Sequence, residues 1–424
     1  MSVATNAESC DVAVIGGGSA GVAAALAAAR SGARTVLVER SDRLGGNAAH
    51  ALVHTICGLY LPAGASEAVL AHRGIAREIA LALGGQPERA GKVWYLPAPP
   101  AALSALYRER CRVQAPLEIR FGAELVEAEL ARDPSGESRL GVREATGGRE
   151  LRARVVVDAS GDAAVAWLGG AAWEIEPPER LQCPSYIFRL EGVDGDALAG
   201  FARVQLTTAV AGATRTGVLR AGAESVVLRA CGAPGQVFVT LNVARPTGAG
   251  FHPLDPDCVA ALEASAHEDA EAIARFLRET RAGFGASRIA EHPRRLGIRE
   301  TRRALGAVVL TGEDVLHGVR RDDEVAVSTW PIELWHDHRR PHFEVPTGAC
   351  SVPLGSLVSR THPRLGMAGR CISATHEALG ALRVIGTALA TGEAIGHAAA
   401  LAADAGTALA AIAPARVREQ TRAL

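Results

Sequence analysis

The stretch DVAVIGGGSAGVAAALAAARSGARTVLVE, residues 11–39, decides the fold. Asp11 to Ile15 is an apolar run of strand length, and Thr35 to Glu39 is a second. Between them Gly16 to Gly21 supplies G-x-G-x-x-G, and Val22 to Ser31 is an Ala-rich helix stopped by Gly32. A strand, a helix and a strand at this spacing imply a parallel sheet. Glycines at 16 and 18 permit the tight turn and let a pyrophosphate approach the backbone. Gly21 lets helix and strand pack closely. The helix N-terminus, at Ser19 and Ala20, offers free N–H groups and the positive end of its dipole. Glu39 follows Gly21 by 18 residues. A carboxylate there accepts both ribose hydroxyls and disfavours a 2′-phosphate. A glycine loop without a ligand has no need of that acid.

Glu39 leads into Arg40-Ser41-Asp42-Arg43-Leu44-Gly45-Gly46. This segment resembles the FAD-binding flavoproteins of the glutathione-reductase type, which share an acid, a short basic loop and a Gly-Gly pair. The resemblance implies FAD as cofactor, with Arg40, Gly45, Gly46 and Asn47 along it. Val155-Val156-Val157-Asp158-Ala159-Ser160-Gly161 is similar to that family's strand and A-T-G turn, which assigns Ala159 and Gly161 to the FAD side. Val126, in the preceding strand region, is placed with them. Leu365 to Ser373 resembles the third FAD segment and brings Gly369 and Arg370. Gly369 to Gly396 is similar to bacterial FAD-dependent oxidoreductases with a G-R-x-I-S-x-x-H-x-A-x-G-x-x-R-V tail. Gly297-Ile298-Arg299-Glu300-Thr301-Arg302-Arg303 resembles the G-x-R-E-T-R-R segment of the same group. These matches specify FAD and leave the substrate open. Arg383, at the entry to the Ala-rich C-terminal helix, is expected beside the flavin, where it and the helix dipole stabilise negative charge. The alternative is a surface arginine paired with Glu377.

The chain has 424 residues, with 45 basic and 46 acidic, for a net charge of −1. Nothing in that balance favours a nucleic-acid partner. Cysteines at 10, 57, 111, 183, 231, 258, 350 and 371 form no C-x-x-C pair, so no metal site is expected and a reducing, cytoplasmic setting is. The apolar run near the N-terminus is too short for a signal peptide, and charges at Arg383, Glu393 and Asp404 break the C-terminal region as a membrane span. Abundant apolar residues permit a homo-oligomer.

The fold class is α/β: a Rossmann-like FAD-binding domain with a parallel sheet, interrupted by a mainly antiparallel α+β substrate domain. Residues 8–62, 118–178 and 346–413 are assigned to the first, and 63–117 and 179–345 to the second. Ser225 to Arg229 and Gln236 to Val243 alternate as antiparallel strands do, and Leu262 to Thr280 has helical pattern. Residues 414–424 are expected to be a frayed, charged tail.

For chemistry, residues just past Gly46 are expected to approach the flavin: His50, His54 and Cys57. His50 and His54, four apart, would share one face of a helix as proton-handling groups, or serve as hydrogen-bonded core histidines. Cys57 has no partner thiol and is expected as a small buried residue. His376 occupies the histidine position of the resembled tail and is the third catalytic candidate. His336, His338 and Arg340, between Trp335 and His342, are candidates for an anionic or aromatic substrate, walled by Trp330 and Trp335. Glu300 and Arg302 are expected as a buried pair. Only one dinucleotide loop is present. Electrons therefore pass between a small-molecule substrate and an external donor or acceptor, in two-electron (hydride) chemistry. Two alternatives stand beside this: an FAD-dependent monooxygenase acting on an aromatic or peptidyl substrate, and a non-catalytic FAD-binding subunit of a redox complex.

Overall fold

The computed structural model describes residues 8–62, 67–246 and 251–423. The polar segment before residue 8, four residues at each of 63–66 and 247–250, and Leu424 lie outside the described residues.

A seven-stranded sheet forms the larger body. β1 (Glu8–Ile15), β2 (Thr35–Glu39) and β3 (Leu117–Phe121) run parallel, with β2 between the other two. β4 (Glu124–Glu129), β5 (Ser138–Glu144) and β6 (Gly147–Asp158) extend it: β5 is antiparallel to both neighbours, and β6 returns parallel to β1. Leu365–Met367 adds a short parallel strand to the last residues of β6. Val12, Val14, Val155 and Val157 are fully buried, as a sheet covered on both faces demands of its central strands.

The helix α1 (Ser19–Arg30) and the C-terminal helix Ile385–Ala405 pack against each other over this sheet. A Cβ on Gly392 would lie 2.1 Å from the Ala20 carbonyl oxygen, and one on Gly396 2.3 Å from that of Ala24. The two backbones touch there, and the alanines of both helices fill the seam. No single helix among the described residues is long and apolar enough to cross a membrane.

A second body is a four-stranded antiparallel sheet in the order Val227–Ala230, Val237–Asn242, Ser185–Glu191, Arg288–Glu291. The helix Pro256–Thr280 backs it. That helix begins six residues before its apolar periodicity, because Asp255 caps it by accepting from Asp257 N and Cys258 N, and Pro256 fits the first turn. Leu262, Ala266, Ala270, Ile273 and Leu277 make its buried stripe, and they share a core with Phe188, Leu228 and Val239.

Three elements depart from the sequence reading. Residues 63–117, expected with the second body, send Ile75, Ile79, Leu103 and Tyr107 into the core of the first. The tail is not frayed: Pro414–Ala423 is a helix, its Val417 fully buried, and Arg418 donates to the carbonyls of Asp322 and Glu324. Arg303, not Arg302, is the partner of Glu300.

Candidate functional site

A cleft runs along the C-terminal ends of β1, β2 and β6. Gly16, with φ +104°, turns the chain from β1 toward α1 in a conformation that favours glycine. Gly18 caps α1 without a side-chain acceptor, so its amides stay available. A Cβ on Gly18 meets no protein atom nearer than Gly46 Cα at 3.9 Å and would enter the cleft, whereas one on Gly21 would lie 1.8 Å from the Gly16 carbonyl oxygen. Glu39 Oε2 accepts from Gly17 N at 2.6 Å, and its Oε1 accepts from Ser41 N and Ser41 Oγ at 2.8 and 2.6 Å. The carboxylate is thus fixed at one end of the cleft. Asp158, fully buried, accepts from Ser160 on one oxygen and from Val165 and Ala166 amides on the other, which fixes the Ala159–Gly161 turn.

Of the proposed FAD residues, Gly16, Gly18, Ser19, Ala20, Glu39, Arg40, Gly45, Gly46, Asn47, Ala159, Gly161, Gly369, Arg370 and Arg383 line this cleft. Gly21 serves packing behind it. Val126 is 42% exposed on β4 and outside the lining; Leu125, its neighbour, faces the cleft instead, since alternate residues of a strand point to opposite sides. Arg295 belongs to no motif in the sequence, yet it lines the cleft, and its Nε is buried without a partner. Burial, then Arg40 and Arg370, push its pKa down to about 10. A diphosphate would relieve that repulsion. The bare Gly18 edge, the anchored Glu39 and the Arg295 cluster together fit the dinucleotide of FAD.

A second cavity adjoins the first and shares Asn47, Ala48, Arg370, Arg383 and Ile385 with it. Ile187 and Thr240 of the antiparallel sheet supply its far wall, together with Arg229, Arg299 and Glu333. Trp330 Nε1 and Trp335 Nε1 donate to the two oxygens of Glu333 at 3.0 and 2.7 Å, so the tryptophans hold an acid rather than wall the pocket. Burial opposes the Glu333 charge, but Arg383 and the two indoles outweigh it and hold its carboxyl below the usual range. Arg383 is not paired with Glu377; it donates to the Glu333 carbonyl at 2.8 Å.

His50 and His54 do not share a helix face. The helix Asn47–His50 ends there, and Leu52 adopts φ +54°. His50 Nε2 lies 2.9 Å from Ser41 Oγ, behind Glu39 at the other end of the cleft. His54 lines the second cavity, stacked on Phe238 with ring centroids 4.6 Å apart. Cys57 also lines it, its thiol pushed up to about 12 by burial. His376 lies in neither lining. It is buried between Glu300, 2.9 Å from its Nδ1, and His336, whose Nε2 is 2.7 Å from its own. His336, His338 and Arg340 belong to a β-hairpin, Ile332–Asp337 with Arg340–Glu344, and line neither cavity.

Residues 297–303 join the two bodies. Gly297 pairs with Ser185 of the antiparallel sheet. Arg299 enters the second cavity. Glu300 holds His376. Thr301 Oγ1 donates to the Gly161 carbonyl and Asp162 Oδ1, both at 3.0 Å. Arg302 stacks on Trp167 at 4.4 Å, and Arg303 bonds Glu174 and Glu176 at 3.1 and 2.9 Å. Because successive residues point to different sides, Arg302 is turned away from the acid that Arg303 meets.

The family model described as FAD dependent oxidoreductase matches residues 11–421. Among solved structures, a geranylgeranyl bacteriochlorophyll reductase-like protein from Thermoplasma acidophilum is similar at 13% identity and TM-score 0.47, over 98% of this chain and 83% of its own. The p-nitrophenol 4-monooxygenase of Pseudomonas putida is similar at 14% identity and TM-score 0.49, over 95% and 82%. No curated protein matches the chain.

Proposed function

The chain belongs to the FAD dependent oxidoreductase family, and from that premise we propose that it carries out two-electron (hydride) redox chemistry on a small organic substrate held in the second cavity. The observation that carries this reading is the junction of the two cavities at Asn47, Ala48, Arg370, Arg383 and Ile385. A substrate there is beside the inner end of the cleft. When bound, FAD supplies the two-electron redox chemistry.

The chain's own residues then have these roles. Gly16, Gly18 and the α1 N-terminus would hold the diphosphate with Arg295, and Glu39 the ribose. Arg383 and the N-terminus of Ile385–Ala405 place positive charge where the two cavities meet. The antiparallel sheet excludes water from the inner cavity. His54, stacked and buried, orients substrate, while His50 and His376 are positioning residues, the first for Ser41 and Glu39, the second for Glu300. Residues 8–62, 118–178 and 346–413 are the FAD-binding portion, and 179–345 the substrate portion.

Anaerobic stopped-flow reduction of the purified yellow protein tests the reading. Bleaching by an organic substrate alone supports it. Bleaching only by NAD(P)H, with oxygen uptake on re-aeration, would favour a monooxygenase. A flavin that no donor bleaches would leave the non-catalytic subunit.

A further inference from the structure

The second cavity carries more positive charge than its own acid answers. Arg370 is matched by Asp162 at 3.2 Å. Arg229, Arg299 and Arg383 remain, with Glu333 as the acid in the same lining. Three guanidiniums against one carboxylate leave two positive charges in a partly desolvated space.

In hydrogen bonds the three arginines meet neutral groups, or none. Arg299 donates to the Cys183 carbonyl and, at 2.6 Å, to the Asn242 amide oxygen. Arg383 donates to the Glu333 carbonyl. Arg229 sits over the Tyr95 ring at 5.1 Å. The Nε atoms of Arg229 and Arg383 are buried without a hydrogen-bond partner. Burial first, and Arg383 second, push the pKa of Arg299 down to about 9, so it stays charged at neutral pH. Neutral acceptors meet the geometry of a guanidinium but not its charge, and a desolvated cation without a counter-ion is costly.

His54 adds a group of opposite need. It is 3% exposed, and its Nδ1 lies 3.2 Å from the Leu52 carbonyl oxygen. A carbonyl only accepts, so Nδ1 carries the proton. Burial and Arg229 push the pKa down to about 3, which keeps the ring neutral and leaves Nε2 a bare lone pair. That Nε2 is buried without a partner, on a ring that lines the cavity.

We propose that the second cavity recognises an organic carboxylate that also bears an O–H or N–H group, the carboxylate taken by Arg229 and Arg299 and the hydrogen accepted by His54 Nε2. This assignment rests on the chain being an FAD enzyme whose substrate occupies that cavity. A guanidinium fork matches a carboxylate in two parallel bonds. The hairpin histidines, His336 and His338, have no part in it.

The test uses the purified yellow protein, titrated at constant ionic strength with acetate, acetamide and methyl phosphate while flavin absorbance and melting temperature are followed. Acetate should give a saturable flavin shift and a thermal stabilisation; acetamide should give neither, and methyl phosphate a weaker response than acetate. Arg229→Gln should weaken acetate binding about tenfold or more and still purify yellow. Arg229→Lys, which keeps the charge and loses the fork, should fall between the two and covers the case in which the glutamine variant does not fold. Glycolate, 3-hydroxypropanoate and 4-hydroxybutanoate would then be compared with acetate, propanoate and butanoate. At least one hydroxy acid should bind more tightly than its parent, and His54→Phe should erase that preference. No saturable response to acetate, an equal response to acetamide, a stronger one to methyl phosphate, or acetate binding unchanged in both Arg229 variants would overturn the carboxylate site. Absence of any hydroxy-acid preference would overturn the role of His54. A colourless wild-type protein would instead strike at the FAD reading.

Discussion

A Cβ on Gly18 finds open space, 3.9 Å from its nearest protein neighbour, while one on Gly21 collides with backbone at 1.8 Å. The two glycines of one motif therefore fail differently when replaced. Gly18→Val should fold with near-wild-type circular dichroism and purify without FAD, because its methyl groups occupy the cleft. Gly21→Val should lose the fold itself, at a cost of several kcal/mol for overpacking against backbone. Comparing flavin content and melting temperature of the pair checks both. At this scale the sequence is most legible where a function needs a backbone property, since glycine spacing and Glu39 are visible in one dimension. Arg295 is not legible: it reaches the cleft from a loop more than 240 residues after the glycines, and a half-buried arginine leaves no local signal. The helix expected to align His50 with His54 ends between them, because Leu52 at φ +54° turns the chain before a second helical turn can form.

Two buried groups of the Ile385–Ala405 helix show how an element can carry a pH dependence away from the site. Glu393 is 2% exposed and its Oε2 accepts from Ile75 N at 2.9 Å. Burial raises its pKa to about 7 from a usual 4.5. The folded chain therefore holds a proton that the unfolded chain releases between those values. That contribution to stability is complete below pH 4.5 and is lost as pH rises through 7. Glu393→Gln does not titrate. Its stability, followed by melting temperature, should gain on the wild type as pH rises across that window, by on the order of 1–3 kcal/mol, and level off above it. A difference that stays flat with pH would show that Glu393 is ionised throughout. The same helix touches the backbone of α1: Gly396→Leu would place a side chain into the Ala24 carbonyl and should lower the melting temperature and flavin content together, since α1 opens the cleft. This seam is only half legible in the sequence. The alanine and glycine content announces close packing, but not which helix is the partner. The 336–342 cluster misleads for a related reason: it folds into a hairpin, in which His336 meets His376 while His342 meets Glu344.

For the molecule as a whole, the interrupted order of domains is visible as a gap between dinucleotide-type segments, and the fold class comes from the βαβ opening. The placement of 63–117 is not visible, because Ile75, Ile79 and Tyr107 carry apolar helical pattern that suits either core. The proposed function draws on both bodies. The sheet of the first makes the long cleft, the antiparallel sheet of the second closes the inner cavity, and residues 297–303 hold them together through Thr301, Arg302 and Arg303. Arg303→Met should be severe, about 3–5 kcal/mol, because it strands buried Glu300 beside two further acids; a melting temperature within a degree or two of wild type would contradict that role. The most direct test of the central claim is the flavin released per chain from the purified full-length protein. The account predicts a single FAD per wild-type chain and none in Gly18→Val; a wild-type chain that stays colourless with FAD in excess, or a Gly18→Val chain with full flavin, would contradict it.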